Sequence, residues 1–327
     1  MASTSLQLGS GPLDQIDSGR FAEAKAGINQ LSNPKAIDII AKAEVELYSG
    51  DLAEAEAALL TVGLVANDIE IAARLALAEG ELLFARRDYY AAQKKFNAAY
   101  YLSEFMKDKF GSALALYRNS RIVSQSSQQD ETIKMLHEAY ESLRGQGPKG
   151  EFLRGLIDFQ LAVCERRRGR DDESEQLYHS AIDTLKESER GRYYALVLVS
   201  YGTVERERGN LVKALELFEE AMNLLNRLNL FADLAHALCE LSLVLISQRS
   251  HERAERLLLE CLDLYRRTEN TNGEARAMIL LARMEFDRNR PRKAREYALR
   301  ASELSDLTGD PFLSASARVQ LARSSST

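Results

Sequence analysis

Three positions that hold small side chains recur in register seven times along this chain of 327 residues. The first holds Ala43, Gly80, Ser120, Ala162, Gly202, Ser242 and Ala282. Twelve residues later stand Ala55, Ala92, Thr132, Ser174, Ala214, Ala254 and Ala294, and seven later again Val62, Ala99, Ala139, Ala181, Ala221, Cys261 and Ala301. A small side chain at fixed spacing means that two helix backbones approach closely at the same point of every unit. The first slot repeats at 37, 40, 42, 40, 40 and 40 residues. Such self-similarity marks a solenoid of helix pairs, each burying its apolar face against its neighbours. Length alone would suggest about two domains, but a solenoid grows by stacking and needs no central core.

Between the first and second slots lies a turn signal: Ser49-Gly50-Asp51, Arg87-Asp88, Ser127-Gln128, Gly169-Arg170, Gly209-Asn210, Arg249-Ser250 and Asn289-Arg290-Pro291. Gly or Asn there suits a left-handed helix stop, and Pro291 the first turn of the next helix. Apolar residues at helical spacing follow, as in Leu211, Ala214, Leu215, Phe218, Ala221 and Leu225. Each unit therefore reads as helix, short turn, helix. The connections between units carry breakers at 145–150, Asn229, 270–273 and 309–311.

These residues resemble a tetratricopeptide repeat. Gly202, Gly209-Asn210-Leu211, Ala214, Phe218 and Ala221 follow that family's pattern, as do Gly80, Asp88-Tyr89, Ala92, Phe96 and Ala99. The family usually repeats every 34 residues or so; the longer period here resembles the helical-repeat domains of bacterial signal-transduction and transcription regulators. The resemblance implies an all-α, right-handed superhelical solenoid of antiparallel helix pairs, about eight units and a C-terminal capping helix. Residues 1–12 would form a flexible N-terminal segment and 13–323 a single solenoid. Its units fall near 13–33 (degenerate, around Gly19-Arg20-Phe21 and Ala24), 34–66, 71–107, 111–145, 151–188, 192–229, 231–269 and 273–308. The cap is 312–323 and the tail 324–327. The serine- and glycine-rich ends suit an excised fragment, with an output domain outside this chain.

The net charge of −6 argues against direct nucleic-acid binding, which calls for a basic face. No apolar run reaches the roughly 18 residues of a membrane span, and Met1 to Pro12 lacks the plan of a secretory signal. Cys164, Cys239 and Cys261 are odd in number with no close pairing, which disfavours a disulfide framework and makes a reduced, cytoplasmic setting the expectation.

Candidate chemistry is sparse. Gly145-Gln146-Gly147-Pro148-Lys149-Gly150 matches a dinucleotide-binding pattern, but it follows a helix instead of a strand, so it reads as a flexible connection. His137, His179, His236 and His251 lie in separate units without zinc-ligand spacing. Cys261 fills a small slot as a core thiol, and Cys164 and Cys239 lie on first helices with no base beside them. No nucleophile elbow is present. The expectation is a non-enzymatic chain with no cofactor and no metal.

Glu46, Glu165, Glu205 and Glu285 stand three residues after the first slot, and Arg168, Arg208 and Arg288 follow three of them at neighbouring helix positions. They read as repeated structural ion pairs, worth about 0.3–0.5 kcal/mol each if exposed. Function is left to the face of the first helices, which in this kind of superhelix lines the inner groove. Positions three before, one after and four after the first slot collect Tyr117, Arg121, Ser124, Phe159, Val163, Arg166, Val199, Thr203 and Arg206, bordered by Arg118 and Arg167. Flanking units add Leu77, Glu81, Phe84, Cys239, Leu243, Ile246, Ile279, Arg283 and Phe286. Arginine forks suit carboxylates. The expected partner-binding residues are Tyr117, Arg118, Arg121, Phe159, Arg166, Thr203 and Arg206, with Tyr117 and Phe159 as apolar anchors. The bland alternative pairs these arginines with Glu165, Glu205 and Glu207 as a solvated face.

The leading expectation is a protein-interaction module, a scaffold, adaptor or regulatory sensor that binds a protein segment or peptide with acidic groups and makes no membrane contact. Two alternatives stay open. One is a sensor for a small anionic ligand or signalling peptide that controls an external output domain. The other is a self-assembling structural component, with apolar Ile39, Ile40 and Leu47 available for oligomer contacts.

Overall fold

The computed structural model describes residues 11–63, 68–124, 128–186 and 191–325. They form seventeen helices and, among the described residues, no strand. The chain divides into two compact units, Met1–Arg190 and Gly191–Thr327. The first contains α1 (Pro12–Asp17), α2 (Phe21–Asn29), α3 (Ala36–Ser49), α4 (Leu52–Gly63), α5 (Ile69–Ala85), α6 (Tyr89–Met106), α7 (Lys109–Val123), α8 (Gln129–Ser142), α9 (Gly147–Arg167) and α10 (Asp171–Leu185). The second contains α11 (Gly191–Glu207), α12 (Leu211–Arg227), α13 (Phe231–Ser247), α14 (His251–Arg267), α15 (Thr271–Asp287), α16 (Pro291–Thr308) and α17 (Pro311–Ser325). Within each unit successive helices pack side by side, and first helices also touch the first helices before and after them.

All twenty-one slot residues are buried. The reason is clearest at the glycines. A Cβ on Gly80 would lie 2.4 Å from the Phe96 ring, and one on Gly202 2.9 Å from the Phe218 ring. The second helix of the pair drives an aromatic ring into the space that the first helix leaves empty.

The turns close by a common device. The Asn210 N–H bonds the Glu205 carbonyl at 2.8 Å and the Ser250 N–H bonds the Leu245 carbonyl at 2.9 Å, each across a left-handed residue. Gly50, Gly169, Gly209 and Asn289 take that conformation as their residue types allow, and Arg87 and Arg249 take it as well, at φ of 64° and 59°. The Ser127-Gln128 turn reaches residue 127, which lies outside the described residues, as do residues 1–10, 326 and 327.

The structure corrects two expectations. The glycines of 145–150 do not make a flexible connection: α9 begins at Gly147 with Pro148 in its first turn, where a fixed φ and a missing N–H are tolerated. Asn270 caps α15 in the same economical way, accepting the Gly273 N–H at 2.9 Å. The expected ion pairs of the repeated glutamates are present, but they are buried, so the weak value of an exposed pair does not apply to them. The side chains of Glu165, Glu205 and Glu285 are 9%, 1% and 0% exposed, with Arg168, Arg208 and Arg288 at 3.2, 3.3 and 3.2 Å. The tight turn folds the following residues back over the carboxylate. Lys213 reaches Glu205 at 3.6 Å, and Arg290 and Lys293 reach Glu285 at 3.5 and 3.6 Å. Each glutamate therefore anchors the turn of its own helix pair.

Candidate functional site

In the first unit the first helices carry a continuous chain of charges. Asp17, at the end of α1, meets Arg74 of α5 at 2.5 Å, and Arg74 meets Glu44 of α3 at 2.7 Å. Glu44 also takes Arg118 of α7 at 3.0 Å, and Glu81 takes both Arg118 and Arg121, at 3.2 and 2.7 Å. The Arg121 guanidinium lies over the Phe84 ring at 4.2 Å. Burial pushes the Asp17 carboxyl up to about 6, because it must share Arg74 with Glu44. Burial works against the charge on Glu44 too, but Arg74 and Arg118 outweigh it and hold that carboxyl below the usual range.

These contacts place five of the sequence-derived residues. Arg118 and Arg121 are held by carboxylates that lie 37 or more positions earlier in the chain, on other helices. Tyr117 is 8% exposed and has only an edge to offer a ligand. Phe159 turns toward its own second helix, with its ring 6.2 Å from that of Tyr178. Arg166 is half-buried on the last turn of α9, and its neighbour Arg167 donates to the Ser124 carbonyl at 2.6 Å. Arg118 and Arg121 therefore share one cluster, while Phe159 stands apart from it in contact with α10.

Thr203 and Arg206 belong to the second unit. Both face Glu240 of α13: the Thr203 hydroxyl donates to it at 3.4 Å and to the Val199 carbonyl at 3.0 Å, and Arg206 stands 3.6 Å away. His236, one turn before Glu240, lies 4.0 Å from the same carboxylate. Burial lowers the His236 pKa; Glu240 opposes the shift and Arg276 of α15 adds to it. Arg276 and Arg283, two turns apart on α15, are exposed and make no ion pair among the described residues. Half-buried Leu196 and Leu243 and nearly buried Ile279 lie on the same three first helices. The surface thus offers two open guanidinium groups, a third held by Glu240 and by Glu207 at 3.7 Å, and apolar ground for a chain segment to rest on.

The register explains what the sequence reading found and missed. The position three before the first slot is turned inward: Leu77, Tyr117, Val199, Cys239 and Ile279 are all buried. In the second unit the open positions are one after the slot, at Thr203, Leu243 and Arg283, and six before it, at Leu196, His236 and Arg276, whereas Glu44, Arg74, Leu114 and Leu156 at these places in the first unit are buried. Arg276 was missed because it lies seven residues before Arg283, on an earlier turn than the one sampled. Among the described residues, no group of three His, Cys, Asp or Glu side chains is placed to hold a metal ion, and no helix is long and apolar enough to cross a membrane.

A family model described as tetratricopeptide repeat matches residues 154–227 and 233–306. No curated protein matches the chain. Solved structures share the fold at low identity. A Rap protein complexed with Competence and Sporulation Factor superposes with a TM-score of 0.67 at 11% identity, covering 96% of this chain and 95% of that one. NprR in complex with its cognate peptide NprX gives 0.59 at 15% identity, covering 84% and 80%. Aspartyl phosphate phosphatase F from Bacillus subtilis gives 0.57 at 12% identity, covering 100% and 97%.

Proposed function

We propose, from the match of residues 154–227 and 233–306 to the tetratricopeptide repeat family model, that the chain is a non-enzymatic regulatory sensor or scaffold whose first-helix surface binds a peptide or protein segment bearing carboxylates. The observation that carries this reading is the pair of open arginines on α15, Arg276 and Arg283, with half-buried Leu243 on the adjoining first helix α13 and Arg206 and Leu196 on α11 beyond it. On a protein of net charge −6, exposed positive groups without carboxylate partners form a local binding potential. Stacked helix pairs offer an extended face for such a segment, and solved structures of the same fold include NprR with its cognate peptide. Arg118 and Arg121 enter this reading as parts of the structural charge chain, and Tyr117, Phe159 and Arg166 as its flank.

A test separates binding from folding. Arg206 is a poor site for charge reversal, because it holds the largely buried Glu240. Arg276→Glu with Arg283→Glu disturbs no ion pair among the described residues. We expect wild type to bind labelled acidic peptides in fluorescence anisotropy, more weakly as salt rises. Each charge-assisted hydrogen bond is worth about 1.5–3 kcal/mol, so losing two should weaken binding by about a hundredfold or more with unchanged thermal unfolding. Equal affinity of the folded double variant would remove the α15 site. Tight capture of a small carboxylate in place of any peptide would favour a metabolite sensor.

A further inference from the structure

We propose that Cys239 and Cys261 are a crosslinking site, at which an oxidant of the peroxide class joins them into a disulfide that ties α13 to α14. All three cysteines are free thiols, as the sequence suggests, but two of them meet: the sulfurs of Cys239 and Cys261 lie 2.7 Å apart, on adjacent helices and 22 positions apart in the chain. Both are fully buried. A formed S–S bond measures about 2.05 Å, so little movement separates the two states.

The repeat shows how unusual this pair is. At the position three before the first slot, the other units carry Ile40, Leu77, Tyr117, Phe159, Val199 and Ile279, all large and apolar or aromatic. At the third slot five of them carry Ala and one Val62. Every other unit therefore carries a large side chain at the first of these places and a smaller one at the second. Here alone both places hold cysteine, and two medium side chains fill the space with their sulfurs in contact. The third cysteine, Cys164, belongs to the other unit and takes no part.

The chemistry closes on the two side chains and one peroxide. A thiolate attacks a peroxide oxygen, the S–O bond forms as the O–O bond breaks, and a water leaves after protonation. The neighbouring thiol then attacks the sulfenic sulfur, the S–S bond forms, and the second water departs with both thiol protons accounted for. The sulfurs are oxidised and the peroxide reduced. Cys239 and burial together hold the Cys261 thiol well above the ordinary cysteine range, and Cys261 also donates to the Ala235 carbonyl at 3.2 Å. Attack therefore waits on local opening of the α13–α14 pair. Once one sulfur is oxidised, the adjacent thiol intercepts it before a second oxygen is added.

The test uses the full chain, fully reduced, then treated with hydrogen peroxide under native conditions and in mild urea, and quenched by alkylation in strong denaturant. Peptide mapping should find the peptides of Cys239 and Cys261 joined, with the intact mass lower by two hydrogens before alkylation and Cys164 alkylated. The unfolding temperature should rise and return when dithiothreitol is added. Cys261→Ala places the residue that five other units carry at this slot, so it should fold; it should show no rise, and Cys239 should be alkylated or over-oxidised. Recovery of both cysteines alkylated, or as sulfinic acids, under both conditions would overturn the proposal. So would a crosslink that runs through Cys164 or between chains.

Discussion

The close approach at Gly80 allows a sharp test of how the helix pairs are matched. Gly80→Ala would set a methyl carbon 2.4 and 2.6 Å from two carbons of the Phe96 ring and 3.1 Å from a third. Phe96 is fully buried, so its ring can yield only by displacing other core side chains. Overpacking of this sort costs about 1–3 kcal/mol, and alanine returns about 1 kcal/mol of helix propensity over glycine. The net expectation is a loss of up to about 2 kcal/mol. Phe96→Leu alone should cost a similar amount through the cavity it leaves. Together the two changes recreate the pairing found at Ala43 and Leu59, with Ser120–Leu136 and Ser242–Leu258 as further small–Leu pairs. The double variant should therefore be more stable than the sum of its parts by about 1–2 kcal/mol. Urea unfolding of all four proteins, followed by far-ultraviolet circular dichroism, measures that coupling. A value within about 0.5 kcal/mol of zero would refute side-chain matching as the reason for glycine. Gly202→Ala, with a 2.9 Å approach to Phe218, should lose less in the same direction.

Two further predictions follow from the charges. The Asp17 carboxyl is raised from its ordinary value to about 6, so the folded chain keeps a proton that the unfolded chain has lost. Its contribution to stability is complete below about pH 4 and disappears as pH rises through about 6. Asp17→Asn, whose amide oxygen still accepts from Arg74, should remove that slope; urea midpoints that track wild type from about pH 4 to about pH 7 would count against it. Glu205→Ala removes a buried carboxylate that Arg208, Lys213 and Asn210 share. It should cost about 1–3 kcal/mol in urea unfolding, against a negligible change for exposed Glu207→Ala, and equal effects of the two would refute the anchoring role.

The parts of the fold legible from sequence are those fixed by contacts inside one helix pair. The slot residues show themselves because a close backbone approach leaves no room for alternatives, and Gly209 or Asn289 because few other residues enter the left-handed region cheaply. Exceptions arise where the cost is met locally. Arg87 and Arg249 adopt the same conformation without glycine, and Gly147-Pro148 opens a helix although both residues read as breakers. The site was less legible because its pairings join different helices. Arg121 looks unpaired when compared with carboxylates of its own helix, yet Glu81 lies 40 residues earlier in the chain and 2.7 Å away. Arg276 and Arg283 carry no local mark that separates them from an ordinary charged surface; only the structure shows that no carboxylate among the described residues answers them. Cys239 and Cys261 escape a spacing search for the same reason, since each is unremarkable on its own helix.

The fixed distances between slots have a consequence for how this chain tolerates change in length. Twelve and seven residues separate the three slots in all seven units, whereas the unit-to-unit step varies between 37 and 42. One residue added within a helix would turn everything beyond it by about 100°, swinging Ala99 or Ala221 out of the contact that needs them. The same residue added between the end of a second helix and the start of the next pair only lengthens a connection, at a loop-closure cost that grows slowly. The chain thus has a built-in frame. Insertions, fluorophore tags and cleavage sites belong between the end of one helix pair and the start of the next, and the five residues of variation already present among its own units mark where.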